Sequence, residues 1–231
     1  MTRPPHHEHH RGNLSWLRAA VLGANDGIVS TSALVVGVIA SGLGPSMVLS
    51  SGIAGAVAGA MSMAAGEYVS VKSQADAELA DLAIEKRELA EHPQLELQEL
   101  AGIYMQRGLS PELAQRVAEE LTAKDALDAH ARDELGTTDA QRARPIQAAV
   151  ASGTAFSVGS LLPLTGVLLA PPPLVERTTI GLTLVSLMLT GGLAAYTGRA
   201  SVLRGAVRLL FWGSLAMLAT TLVGKLFNIA P

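Results

Sequence analysis

Long uncharged segments are the feature that most constrains how this 231-residue chain can fold. Between Arg18 and Lys72 the only charged side chains are those of Asp26 and Glu67, and residues 145–175, 178–198 and 209–224 contain none. A helix of about 20 apolar residues crosses the hydrocarbon core of a bilayer, whereas a soluble helical bundle would need polar faces along these segments. The sequence therefore predicts five membrane spans, at about residues 19–41, 47–71, 146–169, 175–197 and 205–227.

Composition excludes several other classes of protein. The chain is 49% hydrophobic and only 16% charged, and it has no cysteine, so a disulfide framework and a thiolate metal site are both excluded. The net charge of −3 gives no indication of nucleic-acid binding. A His-rich segment, "HHEHH" at residues 6–10, precedes the first apolar run. We interpret it as a polar tail, with weak metal binding as the alternative.

The segment at residues 73–144 is polar and helix-prone, unlike the rest of the chain. Proline and glycine divide it into three helices, since the residue before a proline avoids helical angles and Gly108 and Gly136 suit helix ends. Ser110 and Pro111 are typical of a helix start. The first helix is predicted to continue from the second span to about residue 91. The second is predicted to cover residues 94–107, and the third about 111–135.

The basic residues predict an orientation. If the N-terminus and residues 73–144 are cytosolic, every Lys and Arg lies inside except Arg177 and Lys225, in agreement with the positive-inside rule. The predicted fold is an all-α membrane protein of five transmembrane helices, with a cytosolic three-helix metal-binding domain between spans 2 and 3. Its parts are a His-rich cytosolic N-terminal arm (1–17), spans 1–2 (18–72), the cytosolic domain (73–144) and spans 3–5 (145–231).

Acidic residues are concentrated in the polar segment. On the first helix Glu78, Asp81, Glu85 and Glu88 lie three or four residues apart, which puts them on one helix face without opposite charges interleaved at i+4. Converging carboxylates with an imidazole suit divalent cations such as iron(II) and manganese(II), although an acidic solvated surface would show the same pattern. The candidate ligands are Glu85, Glu88, Glu96, Glu99, His130, Asp133 and Glu134.

Two acids, Asp26 and Glu67, lie within the first two predicted spans, and a methionine, Met63, lies near Glu67. A charged side chain at the bilayer centre costs about 2.5–3.5 kcal/mol on insertion scales, so Asp26 is a functional candidate. Met63 and Glu67 are four residues apart and share one helix face. A thioether beside carboxylates suits a transition metal; helix packing for Met63 and an interfacial position for Glu67 are the alternatives.

Several long motifs resemble the vacuolar iron transporter family, which includes nodulin-21-like proteins and bacterial members. They are "GANDGIVSTSALVVGV", "GAMSMAAGEYVSV", two Glu-x-x-Glu pairs, "RGLSPELAQ" and "ARDELG". The resemblance covers residues 16–227. It implies five-span homodimers that move iron(II), and often manganese(II), out of the cytosol in exchange for protons.

The resemblance also implies roles for particular residues. Asp26 and Met63 match the family's pore aspartate and methionine at a dimer interface. The two Glu-x-x-Glu pairs match its cytosolic metal-binding glutamates. The local sequence "HARDELG" departs from the family's last acidic pair, so His130, Asp133 and Glu134 compete for that role.

The resulting hypothesis is a transporter, not an enzyme, in a bacterial-type inner membrane. Its partners would be the lipid bilayer, divalent metal ions, protons and a second copy of the chain. No cofactor would be bound permanently; Fe²⁺ or Mn²⁺ would be the substrate. The alternatives are a metal-buffering protein and a membrane-tethered di-iron ferroxidase. The absence of Glu-x-x-His, the usual di-iron motif, from residues 73–144 argues against the ferroxidase.

Overall fold

The described part of the chain is helical throughout. A computed structural model describes residues 14–136 and 144–228, which contain seven α-helices, one short 3₁₀ helix and no strand. The His-rich segment at residues 6–10 lies outside the described residues. The helices are α1 (Leu14–Ala40), α2 (Pro45–Glu91), α3 (Pro93–Gln106), α4 (Pro111–Asp133), α5 (Pro145–Leu169), α6 (Val175–Thr197) and α7 (Val202–Leu226).

Five of these helices, α1, α2, α5, α6 and α7, are long and apolar enough to cross a membrane, and they coincide with the five predicted spans. The prediction of an all-α, multi-pass membrane protein is therefore confirmed. Proline occupies the first position of α2, α3, α4 and α5. This position tolerates proline because its N–H has no partner within the helix.

Among the described residues, the contacts define two compact units, one made of residues 14–69 and 145–228 and one made of residues 70–136 and 144. We call them the membrane unit and the acidic unit. Helix α2 contributes its first part to the membrane unit and its last part to the acidic unit. The assignment of the acidic unit to the cytosol stays a prediction.

In the membrane unit, α1 and α5 pack with their backbones in contact. A side chain added at Gly23 or Gly27 of α1 would collide with the backbone carbonyls of Ser152 and Phe156 on α5. Such close packing of glycines is typical of membrane helices, which gain no hydrophobic energy from leaving lipid. This contact holds α1, the helix that carries Asp26, against α5.

In the acidic unit, α3 and α4 form a small apolar core of Leu100, Ala101, Ala118 and Ala129. Three predicted helix boundaries are confirmed. The Ser110 hydroxyl accepts a hydrogen bond from the Leu113 N–H, 3.4 Å away, and so caps α4. Gly108 and Gly136 follow α3 and α4 with φ of +99° and +68°, angles that favour glycine.

The third predicted helix is not continuous, which corrects the sequence prediction. At Asp125 the backbone leaves the helical region (φ −166°, ψ 97°), and α4 restarts beyond it. The Asp125 carboxylate accepts a hydrogen bond from the Asp128 N–H at 3.0 Å, so it acts as a second N-cap inside α4. The short stretch after Asp125 carries His130 and Asp133.

Candidate functional site

Three helices of the acidic unit bring buried donor groups to one point. Glu85 lies on α2, Glu96 on α3 and His130 on α4, and they are only 3%, 8% and 0% exposed. Each offers a ligand atom, and these atoms all lie within 4.8 Å of one another. Glu134, which caps the C-terminus of α4, joins the group. We call these four residues the acidic cluster.

The His130 ring lies at the centre of the acidic cluster. Its Nδ1 is 2.9 Å from Glu85 Oε1, 3.0 Å from a Glu134 oxygen and 3.9 Å from a Glu96 oxygen. A single N–H at Nδ1 cannot donate hydrogen bonds to three carboxylates at once. Glu85 Oε1 is near Nδ1 but outside hydrogen-bond geometry, and both it and His130 Nε2 are buried without a hydrogen-bond partner among the described residues. Buried polar groups normally have partners, so protein groups alone leave this arrangement incompletely satisfied.

The electrostatics of the acidic cluster disfavour carboxylates without a cation. Burial, and then the negative charge of Glu134, raise the pKa of Glu85, with the His130 ring opposing them. Burial also raises the pKa of Glu96, and the negative charge of Glu99 adds to it. Each shift means that the charged form is less stable here than in water. A bound cation would reverse that balance.

Asp133 has different partners. Its carboxylate accepts hydrogen bonds from the Tyr104 hydroxyl (2.7 Å), Arg107 Nη1 (2.6 Å) and Arg132 Nη2 (2.8 Å). Burial opposes ionisation of Asp133, but the hydrogen bonds from Arg132, Arg107 and Tyr104 outweigh it and lower the pKa to about 2. Asp133 thus joins the ends of α3 and α4 next to His130.

Glu88 and Glu99, the other members of the two Glu-x-x-Glu pairs, are exposed. Their negative charges still act on the buried Glu96, because both raise its pKa. The structure therefore separates each pair into one buried carboxylate (Glu85, Glu96) and one exposed carboxylate.

In the membrane unit, one cavity brings together the three residues predicted to form a transport path. Asp26 of α1 and Met63 and Glu67 of α2 all line a cavity of about 370 Å³. The hydroxyl-bearing side chains of Ser30 and Ser62 also line it. The cavity thus offers carboxylate, thioether and hydroxyl donors within an otherwise apolar bundle.

Sequence reasoning missed two parts of these sites. The link from Tyr104 and Arg107 to Asp133 joins residues 26 or more positions apart, and helix periodicity does not reveal such a contact. Ser30 and Ser62 were also missed. Ser30 lies four residues, or one helical turn, after Asp26, so the i+4 spacing could have identified it.

Comparison with known proteins identifies the family. The model of the VIT family matches residues 17–225. A vacuolar iron transporter of Acanthamoeba castellanii is 42% identical over 221 residues, which cover 95% of this chain and 82% of the relative. Vacuolar iron transporter homolog 2 of Arabidopsis thaliana is 35% identical, over 93% of this chain and 85% of the relative. The corresponding homolog 2 of Oryza sativa subsp. japonica is 37% identical, over 92% and 90%. Because the family model and these relatives both match nearly the whole chain, this protein is a member of the VIT family.

Proposed function

We propose that this protein moves iron(II), with manganese(II) as a second substrate, out of the cytosol in exchange for protons. Membership of the VIT family and the relatives named vacuolar iron transporter support metal transport. They also make the protein a transporter rather than an enzyme, which disfavours the ferroxidase alternative.

The observation that carries this proposal is the arrangement of donor atoms in the acidic cluster. Ligands about 2.0–2.2 Å from a divalent transition metal lie roughly 3.0–3.5 Å from one another in octahedral or tetrahedral sites. The distances of 2.9 and 3.0 Å from His130 Nδ1 to Glu85 and Glu134 fall close to that range, and Glu96 is 3.9 Å away. A metal ion would need only small side-chain movements to contact all four groups.

The types of donor favour a borderline metal. Calcium and magnesium prefer sites made only of oxygen ligands, whereas one imidazole among carboxylates suits iron(II), manganese(II) and their neighbours in the first transition row. Binding would give Glu85 Oε1 the partner that it lacks among the described residues. It would also offset the repulsion among the buried carboxylates.

The remaining acids take supporting roles in this proposal. Asp133 already accepts three hydrogen bonds, so we assign it to positioning α4 rather than to holding the ion. We assign the exposed Glu88 and Glu99 to attracting cations towards the buried cluster, since their charges act on Glu96.

The membrane cavity supplies the proposed path through the bilayer. The Asp26 carboxylate can hold a metal ion when it is charged and a proton when it is neutral, which is the chemistry that an exchanger requires. Met63 adds a soft donor that discriminates against magnesium and calcium. Glu67 lies on the same face of α2, one turn further along, and would pass the ion between Met63 and the water-facing side.

We further propose that the acidic unit faces the cytosol and that the protein works as a homodimer. Large apolar side chains on the membrane part of α2 are exposed, including Val57 and Met61 at 60% and 68%, so this helix offers a surface to a second copy. The membrane would be a bacterial-type inner membrane, although the relatives are named vacuolar. Cysteines placed at Glu120 and Gly44 should be labelled from opposite sides of sealed vesicles. Labelling of both from one side would contradict this orientation.

The test is metal flux into liposomes against an imposed pH gradient, with metal binding by the acidic cluster measured in parallel. We expect Asp26→Asn to lose most pH-driven flux while it still binds metal, because asparagine keeps the size but cannot release a proton. Glu176→Gln is the matched control, since Glu176 is an exposed acid of the membrane unit that does not line the cavity. Both activities should survive in it.

Two outcomes would contradict parts of the proposal. Metal binding without flux in the unchanged protein would favour the metal-buffering alternative. Full pH-driven flux in Asp26→Asn would remove Asp26 from the mechanism and make Glu67 the next candidate for proton exchange.

A further inference from the structure

The start of α7 and the loop before it carry three positively charged side chains. Arg199, Arg204 and Arg208 lie here, and residues 177–231 contain no Asp or Glu. In the portions of the chain that the structure describes, none of these three arginines forms an ion pair. Arg204 and Arg208 are one helical turn apart and share a face of α7.

A cavity of about 350 Å³ lies beside this charge, between α1, α6 and α7. Arg208 and Asn25 are its polar lining residues, and the others are mostly glycine and alanine. Gly191 of α6 and Gly205 of α7 bring the two backbones together, because a Cβ at Gly205 would lie 2.5 Å from the Gly191 carbonyl oxygen.

Two side chains of this cavity, Asn25 and Arg208, carry polar groups for which the described residues supply no hydrogen-bond or ion-pair partner. Asn25 Oδ1 is buried and has no hydrogen-bond partner among the described residues. Arg208 lies six residues inside α7, a membrane-span helix, and an arginine at such a position usually has a counter-charge. No acidic residue lines the cavity. A ligand with an anionic group and further polar atoms would satisfy both side chains.

A second, apolar groove adjoins the cavity. It has a volume of about 550 Å³, and it shares Asn25 and Ala194 with the first cavity. Its walls come from α1, α5 and α6 and include Trp16, Val150 and Leu193. A polar compartment next to an apolar one matches a molecule with a charged head and a hydrocarbon tail.

We propose that the cavity and groove together bind one anionic phospholipid. Its phosphate would pair with Arg208, the rest of the head group would contact Asn25, and an acyl chain would occupy the apolar groove. Charge complementarity selects an anionic lipid, because Arg199 and Arg204 add positive charge at the same end of the helices. In the predicted orientation this end faces the cytosol, where anionic lipids attract juxtamembrane Lys and Arg and where basic pockets between membrane helices bind lipid head groups.

The two tryptophans provide a direct test. Replacing Trp212 by Phe leaves Trp16, in the wall of the groove, as the only tryptophan. The protein is reconstituted in phosphatidylcholine in two preparations. One contains a small fraction of phosphatidylglycerol with brominated acyl chains, and the other contains the same fraction of phosphatidylcholine with brominated acyl chains. We expect brominated phosphatidylglycerol to quench Trp16 more strongly than brominated phosphatidylcholine at the same fraction. Arg208→Gln should weaken the apparent affinity for phosphatidylglycerol about fivefold.

Matched variants separate charge at this site from charge elsewhere. Arg177→Gln, which removes the same charge from the other end of α6, should keep the preference for phosphatidylglycerol. Ala194→Leu, which fills the wall shared by the two compartments, should lose the preference although every arginine remains. Variants that retain the elution volume of the parent protein on gel filtration are compared.

Three results would overturn the proposal. Equal quenching by the two lipids in the parent protein would mean that the groove contacts bulk lipid only. An unchanged preference in Arg208→Gln would remove the arginine from the site. Binding of soluble glycerol phosphate to a protein that shows no preference between the two brominated lipids would show that the cavity takes a free anion rather than a lipid.

Discussion

Replacement of Glu85 by Gln tests the acidic cluster most directly. The glutamine side chain would keep the size and one oxygen, but it would remove the charge and with it one of three carboxylates near His130 Nδ1. Two opposite effects are expected. Metal binding should weaken, and the metal-free protein should become more stable, because burial and Glu134 disfavour the charged form of Glu85.

The expected magnitude follows from the number of donors and from linkage. Loss of an outer partner of a metal ligand typically lowers metal affinity 10–100-fold, so loss of a charged ligand should reach about 100-fold. Metal at 100 times the dissociation constant of the unchanged protein stabilises the folded state by about 2.7 kcal/mol. With a dissociation constant 100-fold higher, the same metal concentration would contribute only about 0.4 kcal/mol. Glu85→Gln should thus remove about 2 kcal/mol of metal-dependent stabilisation.

The assay combines calorimetric titration of the full-length protein with manganese(II) and thermal unfolding with and without the metal. Glu120→Gln is the matched control, because Glu120 is an exposed acid of α4 outside the cluster. The control should bind manganese(II) as the unchanged protein does. Equal affinity and equal metal-dependent stabilisation in Glu85→Gln and Glu120→Gln would refute the reasoning, and the buried acids would then have no role in holding the ion.

Three further predictions concern the acidic unit and the membrane cavity. The raised pKa values of Glu85 and Glu96 destabilise the folded protein fully at a pH above these raised values, and the destabilisation is lost below the ordinary value of 4.5. The thermal midpoint of the metal-free protein should therefore rise as the pH falls from 7 towards 4.5. A steady fall of the midpoint over this range would contradict the prediction. Asp133→Asn should destabilise the protein by about 2 kcal/mol at neutral pH, since the pKa of Asp133 is about 2 in the folded protein and its ordinary value is 3.8. In the unchanged protein, the stabilisation from ionised Asp133 should disappear between pH 4 and pH 2, as measured by denaturant unfolding. Met63→Leu should lower flux of softer ions such as cobalt(II) relative to manganese(II) in competition assays, and unchanged ratios would assign Met63 to packing.

Much of the fold could be predicted from sequence because its causes are local. Hydrophobic length alone predicts the five spans, since a helix satisfies all of its backbone hydrogen bonds within one segment of chain in a bilayer. The ends of α3 and α4 are determined by backbone angles that depend on single residues. The two helices begin at Pro93 and Pro111 and are followed by Gly108 and Gly136. The break at Asp125 was missed because the apolar pattern continues across it. The only local signal was Asp125 itself, whose carboxylate can cap the N–H of the residue three positions later. Inside a helix-prone segment this signal is weak.

The candidate site was less predictable, because spacing gives the face of a helix and not its surroundings. Glu85 and Glu88 look equivalent in sequence, yet one is buried and the other exposed. The same holds for Glu96 and Glu99. Which member of each pair faces inward depends on how α2, α3 and α4 pack, and that depends on contacts between residues far apart in the chain.

The ambiguity among His130, Asp133 and Glu134 shows how packing divides roles within a single helical turn. Tyr104 of α3 and Arg107, which follows α3, hold Asp133. This leaves His130, three residues earlier, and Glu134, one residue later, in contact at 3.0 Å. The break at Asp125 shortens the helical stretch that must be oriented, so the link at Asp133 acts on only about two turns. The end of α4 is therefore held by hydrogen bonds outside the acidic cluster. Donor groups fixed in this way need less rearrangement to receive an ion, so metal affinity should depend on Arg107 even though Arg107 touches no candidate ligand of the acidic cluster.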